Sequence, residues 1–182
     1  MRKTFRAAVF CVALVSSLSF SVDHPSAPVG FTWQEVPELK AAFLKPEGWF
    51  FKQEEQKGTL AYFITKESIA TGGEFKTGLS LNVFRRLKKS KAVDQAQYLI
   101  GNAISKHHVE PFQRRVGPFY QLGCELKDTD ATGTIVMREI AMANEKTNTL
   151  YLFIFESPES EWPAASKIGE KMLDQLVLDD EI

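Results

Sequence analysis

The sequence predicts an α+β domain, an antiparallel β-sheet sandwiched by α-helices, and three observations carry that prediction. β-rich runs flank a polar stretch ending in glycine within residues 49–65, and the apolar spacing turns helical after Ser90. The third observation is Leu150-Tyr151-Leu152-Phe153-Ile154-Phe155, which is apolar without a break. A strand apolar on both faces requires cover on both sides.

The elements follow in chain order. Trp49-Phe50-Phe51-Lys52 and Leu60-Ala61-Tyr62-Phe63-Ile64-Thr65 read as a hairpin joined by Glu54-Glu55-Gln56-Lys57-Gly58, whose final glycine suits the turn. Ser68 to Gly78, with Gly72-Gly73, reads as a mobile loop. Leu79, Leu81 and Val83 alternate with Ser80, Asn82 and Phe84, which places the aliphatics on one face of a third strand. Val93, Ala96, Ile100, Ala103 or Ile104, and His107 recur every three to four residues, the apolar stripe of a helix with Ser90 as its N-cap. Glu125 to Asn144 and Thr149 to Phe155 read as further strands. Ser157-Pro158 then opens a second helix, proline being suited to a first turn, along Trp162, Ala165, Ile168, Met172, Leu173 and Leu176. Trp49, Leu81, Phe153 and Trp162 each fall on an apolar face and are expected in one core.

Lys45-Pro46-Glu47-Gly48-Trp49 at the first hairpin, Phe75 to Phe84 as the central strand, and Tyr151 to Val177 carry a likeness. In the last segment an apolar strand ends in Phe155-Glu156-Ser157-Pro158-Glu159 before the terminal helix. Over about residues 31 to 180 the chain resembles the PsbP-like family, which includes the extrinsic photosystem II protein and bacterial exported relatives. The resemblance implies a PsbP-like α/β/α sandwich and a role in binding or assembly, with no shared catalytic set to carry over.

The N-terminus reads differently. Arg2, Lys3 and Arg6 precede the uncharged run Ala7 to Val15, the pattern of a secretory signal peptide. That run is far shorter than the roughly 20 residues needed to span a bilayer, so no transmembrane segment is expected after cleavage. Cys11 lies inside the run and does not close it, so it is not a lipidation site. Ser17 and Ser19, or Ser19 and Ser21, suit the cleavage rule, which gives residues 1–21 as signal peptide, 22–30 as a flexible arm and 31–182 as the domain. The expected location is the periplasm of a Gram-negative bacterium, or otherwise outside the cell.

Composition narrows the function classes. Of 182 residues 44% are apolar and 25% charged, as in a single soluble domain. Twenty-two basic against 23 acidic residues leave no electrostatic footprint for nucleic acid. Two cysteines and three histidines are too few for a disulfide framework or a zinc ribbon, and Cys124, alone after processing, is expected buried as a small hydrophobe.

Candidate chemistry is sparse. No Gly-x-Ser-x-Gly elbow is present, so the chain reads as no enzyme, and no cofactor is implied. His107 and His108 are adjacent and diverge on a helix or a strand, which makes them helix-end residues. Asp128-Thr129-Asp130-Ala131-Thr132-Gly133 with Glu139 fits the calcium-loop template except at its fifth position, but flanking β-branched residues favour a hairpin turn. Cleavage after Ser21 would expose Val22-Asp23-His24, whose amine, amides and imidazole suit Cu(II) or Ni(II). Arg85, Arg86, Lys88 and Lys89 precede the first helix, where its dipole disfavours cations, so the run does not serve the helix; it reads as a solvated face or, as the functional alternative, as the candidate partner-binding residues for a protein or an anionic surface. The chain is thus expected to be an exported, non-catalytic binding or assembly module; the alternative is a periplasmic metal-handling protein or an uncharacterised enzyme.

Overall fold

The computed structural model describes residues 23–56, 59–131 and 133–182; the expected signal peptide lies outside the described residues. β1 (Phe31–Val36) and β2 (Ala41–Pro46) are joined by a 3-10 turn at Pro37–Leu39. β3 (Phe50–Gln56) and β4 (Thr59–Thr65) form the expected hairpin, with Phe51 opposite Ile64. There follow β5 (Gly78–Phe84), α1 (Ala92–His107), β6 (Pro111–Val116), β7 (Phe119–Asp130) and β8 (Gly133–Asn144). β9 (Thr149–Pro158), α2 (Trp162–Asp174) and β10 (Val177–Leu178) complete the chain.

Seven strands pair antiparallel in the order β3-β4-β5-β9-β8-β7-β6, and β1-β2-β10 form a second sheet of three. The chain leaves β5, crosses through α1 to the far edge at β6, and returns strand by strand until β9 pairs with β5. Alternation along β9 then divides two cores. Tyr151, Phe153 and Phe155 point to one face, where they pack with Leu81, Ile140, Met172 and, from the small sheet, Val36 and Phe43. Leu150 and Leu152 point to the other, where Ala92, Ala96 and Ile100 of α1 cover Tyr120, Cys124, Leu126 and Ala141. The unbroken apolar run of β9 is therefore buried on both sides, and Trp49, Leu81, Phe153 and Trp162 do share one cluster.

Several details depart from expectation. The helices do not cover the two faces alone, because α2 shares its side with the small sheet, whose central strand is buried at Ala41, Ala42, Phe43 and Leu44. Residues 125–144 hold two strands joined by the expected hairpin, with Asp130 opposite Gly133 beside its turn, but the first of them, β7, starts further back, at Phe119. Pro158 does not start the second helix; it still pairs with Ile135 in the sheet, and Pro163 occupies the first turn of α2. There Gly169 lets the helix close on the sheet, since a Cβ would come within 2.5 Å of the Phe155 ring.

The segment expected as a loose arm lies against β1. The His24 ring stacks on Trp33 with centroids 4.7 Å apart, and the Trp33 indole N–H donates to the Pro25 carbonyl at 2.7 Å. Trp33 supplies both a flat apolar face and a donor, which is why so polar a segment settles there.

Candidate functional site

The basic run begins where β5 ends. Arg85 turns back across the molecule and its guanidinium donates to the Glu38 carbonyl, while the Glu38 carboxylate accepts the Tyr62 hydroxyl at 3.2 Å. Burial, reinforced by Glu38, raises the Tyr62 phenol well above its ordinary range. Arg85 is thus a tie between the turn at Pro37–Leu39 and the large sheet, and differs in kind from the cations that follow it.

Arg86 adopts a left-handed backbone, φ 47°, and the loop then runs to α1 under the control of Asn148, between β8 and β9. The Asn148 amide donates to the carbonyls of Leu87 at 2.6 Å and Ser90 at 3.0 Å, and its backbone carbonyl accepts Leu87 N–H at 2.9 Å. Its Oδ1 accepts the N–H of Ala92 at 2.7 Å, satisfying a first-turn donor of α1. Ser90 is therefore not the cap. Lys91 holds the N-cap position and makes no side-chain cap bond, because lysine has no acceptor to offer. Leu87 packs into the core beneath while Arg86, Lys88, Lys89 and Lys91 stay exposed. Elsewhere Lys52, Lys66, Lys127, Arg115 and Arg138 each meet a carboxylate; these four form no ion pair within the described residues.

The other sequence candidates fall in different places. His107 donates Nδ1–H to the Lys127 carbonyl at 3.1 Å if that nitrogen carries the proton, and His108 ends α1 in a left-handed conformation, φ 54°. Glu139 stands opposite Cys124, four residues along β7 from Asp128, a separation of about 13 Å at ~3.3 Å per residue. One cation cannot bridge that distance, and Asp128, Thr129 and Asp130 are paired strand residues at the end of β7, next to the hairpin turn. Among the described residues no group of three or more His, Cys, Asp or Glu side chains could hold a metal ion. Cys124 is fully buried, and burial pushes its thiol up to about 11. His24 of the copper motif has Nε2 3.4 Å from Glu35 Oε1, and Val22 lies outside the described residues.

Two concavities had no signal in the sequence. One, of about 600 Å³, opens between the β6–β8 face and α2, where Arg138 bridges Glu125 and Glu170 at 3.0 Å each. Phe112 forms part of its wall, lying so closely over Gly123 that a Cβ there would meet the ring at 2.5 Å. The second, of about 300 Å³, lies between the ends of β3–β5 and the start of α2.

A seven-stranded antiparallel sheet with one helix on one face, and a helix beside a small sheet on the other, defines an α+β sandwich, and solved structures share it. The solution structure of cyanobacterial PsbP from Synechocystis sp. PCC 6803 matches with a TM-score of 0.51 and 10% identity, over 84% of this chain and 95% of that one. The Saccharomyces cerevisiae Ran-binding protein Mog1p matches with a TM-score of 0.51 and 11% identity, over 81% and 95%. No family model matches the sequence, and no curated protein does. The chain has the PsbP-like fold.

Proposed function

We propose that the chain is an exported, non-catalytic binding or assembly module that holds an acidic protein partner through the loop before α1. The observation that carries this reading is a set of exposed cations, Arg86, Lys88 and Lys89, without carboxylate partners among the described residues, on a loop pinned by Asn148. A pinned loop loses less conformational freedom on association than a free one. The fold supports the same reading, since Mog1p, which shares it, is a Ran-binding protein. Export rests on residues 1–21. Among the described residues no helix is long and apolar enough to cross a membrane.

The test reverses Arg86, Lys88 and Lys89 to Glu and leaves Arg85 in place, because Arg85 ties the turn at Pro37–Leu39 to the sheet. Thermal stability should stay close to the parent's. Capture of acidic proteins from a cell-envelope extract should weaken roughly tenfold at low ionic strength, each exposed pair being worth about 0.2–1 kcal/mol, and the difference should shrink as salt rises. Equal capture by parent and variant at low salt would overturn the proposal, as would loss confined to anionic vesicles.

A further inference from the structure

Among the described residues, the Thr77 hydroxyl is a buried side-chain polar atom with no hydrogen-bond partner. Thr77 is 2% exposed, and its backbone is fully engaged. Its N–H donates to Glu67 Oε2 at 3.0 Å and its carbonyl accepts the Lys66 N–H at 2.9 Å. Alternation from Leu79 and Leu81 places the side chain on the face that α2 covers. There Thr77 lines the cavity of about 300 Å³, together with Trp49, Pro163, Ala165 and Ile168. Buried hydroxyls in folded proteins nearly always have a partner, so one left over beside a cavity indicates a group that enters it.

The remaining polar groups narrow the chemistry of that group. Lys66 and Glu161 line the cavity but neutralise each other at 2.6 Å. The first N–H groups of α2 do not face outward, since those of Ala164 and Ala165 both donate to the Glu161 carbonyl. No unmatched charge or free helix terminus is left to hold an ion. Ser160, the other polar side chain of the lining, is exposed and already faces water; the remaining walls are an indole, a proline ring and aliphatic side chains, and the volume lies at the small end of the range for ligand sites. We propose that this cavity binds a compact, uncharged, largely apolar group with a single hydrogen-bonding atom directed at Thr77, the chemistry of a phenol ring. The site is separate from the basic loop and stands whether or not that loop binds a partner.

The probe is p-cresol, titrated into the full chain and followed through the NMR signals of Thr77, Trp49 and Ala164, with toluene as the match lacking a hydroxyl. Saturable shifts are expected, with p-cresol binding about tenfold more tightly than toluene, as one hydrogen bond to a buried group warrants. Thr77→Val should remove that preference while toluene affinity holds, and Thr77→Ser should retain it. Ala164→Trp, placed at the cavity rim, should block both ligands. N-acetyltyrosinamide identifies the source: binding as tight as p-cresol assigns the cavity to a partner's tyrosine, and exclusion assigns it to a free small molecule. Equal affinity for p-cresol and toluene, a preference that survives Thr77→Val, or no saturable shift at millimolar concentration would each overturn the proposal.

Discussion

Glu139 and Glu156 stand on the same face of β8 and β9, one diagonal step apart, since Glu139 faces Ile154 and Met137 faces Glu156. Burial raises both carboxyls above their ordinary range; Glu139 raises Glu156 further, while His107 and Lys106 partly offset the rise at Glu139. A carboxyl whose folded pKa exceeds its unfolded value favours folding only when protonated. Its contribution is complete below the unfolded value and is lost as pH rises through the folded one. Neutral pH therefore carries the cost of two part-buried anions. Glu156→Gln should melt at a higher temperature than the parent at pH 7, and the two curves should converge near pH 4, about the ordinary carboxylate value. A variant less stable than the parent at every pH would show instead that the carboxylate is held by a favourable contact. Other single residues show how far a sequence can be read. Cys124 as a buried hydrophobe followed from its having no second cysteine to pair with after processing, but nothing near Arg85 distinguishes it from Arg86, because its partner, the Glu38 carbonyl, lies 47 residues away. The Thr77 cavity is equally silent in sequence, being assembled from the starts of β3, β5 and α2.

At the scale of elements, the strands and helices that were legible have one face in contact with a core and the other with water, or both faces in a core. α1 shows its stripe because only one side packs, and β9 shows an unbroken apolar run because both sides do. β6 has neither signature. It is an edge strand, exposed at every position from Pro111 to Val116, so no alternation marks it. β2 was hidden for a different reason: Ala41-Ala42-Phe43-Leu44 is a short apolar run without a period, equally compatible with a buried helical turn. The strands on either side of residues 145–148 were legible, but the work of Asn148 on α1 was not, since it caps a helix whose first residue is 56 positions away. Asn148→Ala removes the acceptor for Ala92 N–H and the donors to Leu87 and Ser90, and leaves the Cβ at φ 56° without the amide whose hydrogen bonds offset the left-handed backbone. Cap loss and left-handed strain together should cost about 2–3 kcal/mol in urea unfolding. Asn148→Gly, which tolerates the backbone but also lacks the side chain, should cost less. In both, amide exchange of residues 87–92 should quicken more than that of β9. If both variants unfold with the parent, the clamp does not stabilise the loop.

Considered as a whole, the molecule is one sheet serving two cores. β8 and β9 send alternate residues to opposite sides, Ile140, Met142, Tyr151 and Phe153 to the small-sheet side and Ala141, Ala143 and Leu150 to the α1 side. Neither core can dissolve without removing the inner wall of the other, so the domain should unfold in a single step despite having two separate apolar clusters. Substitutions on opposite faces test this directly. Phe153→Ala empties a fully buried aromatic site on one side and should cost about 3–5 kcal/mol, while Ile100→Val trims one methyl group on the other for about 0.5–1.5 kcal/mol. The two side chains lie in different clusters, and sites without common neighbours add to within about 0.5 kcal/mol. The double variant should therefore lose the sum of the two in urea denaturation, with coincident transitions followed by tryptophan fluorescence, which reports Trp49 and Trp162 on the first side, and by helical circular dichroism, which includes α1 on the second. Two separated transitions in the double variant would mean that the layers fold as independent units and that the central strands do not couple them.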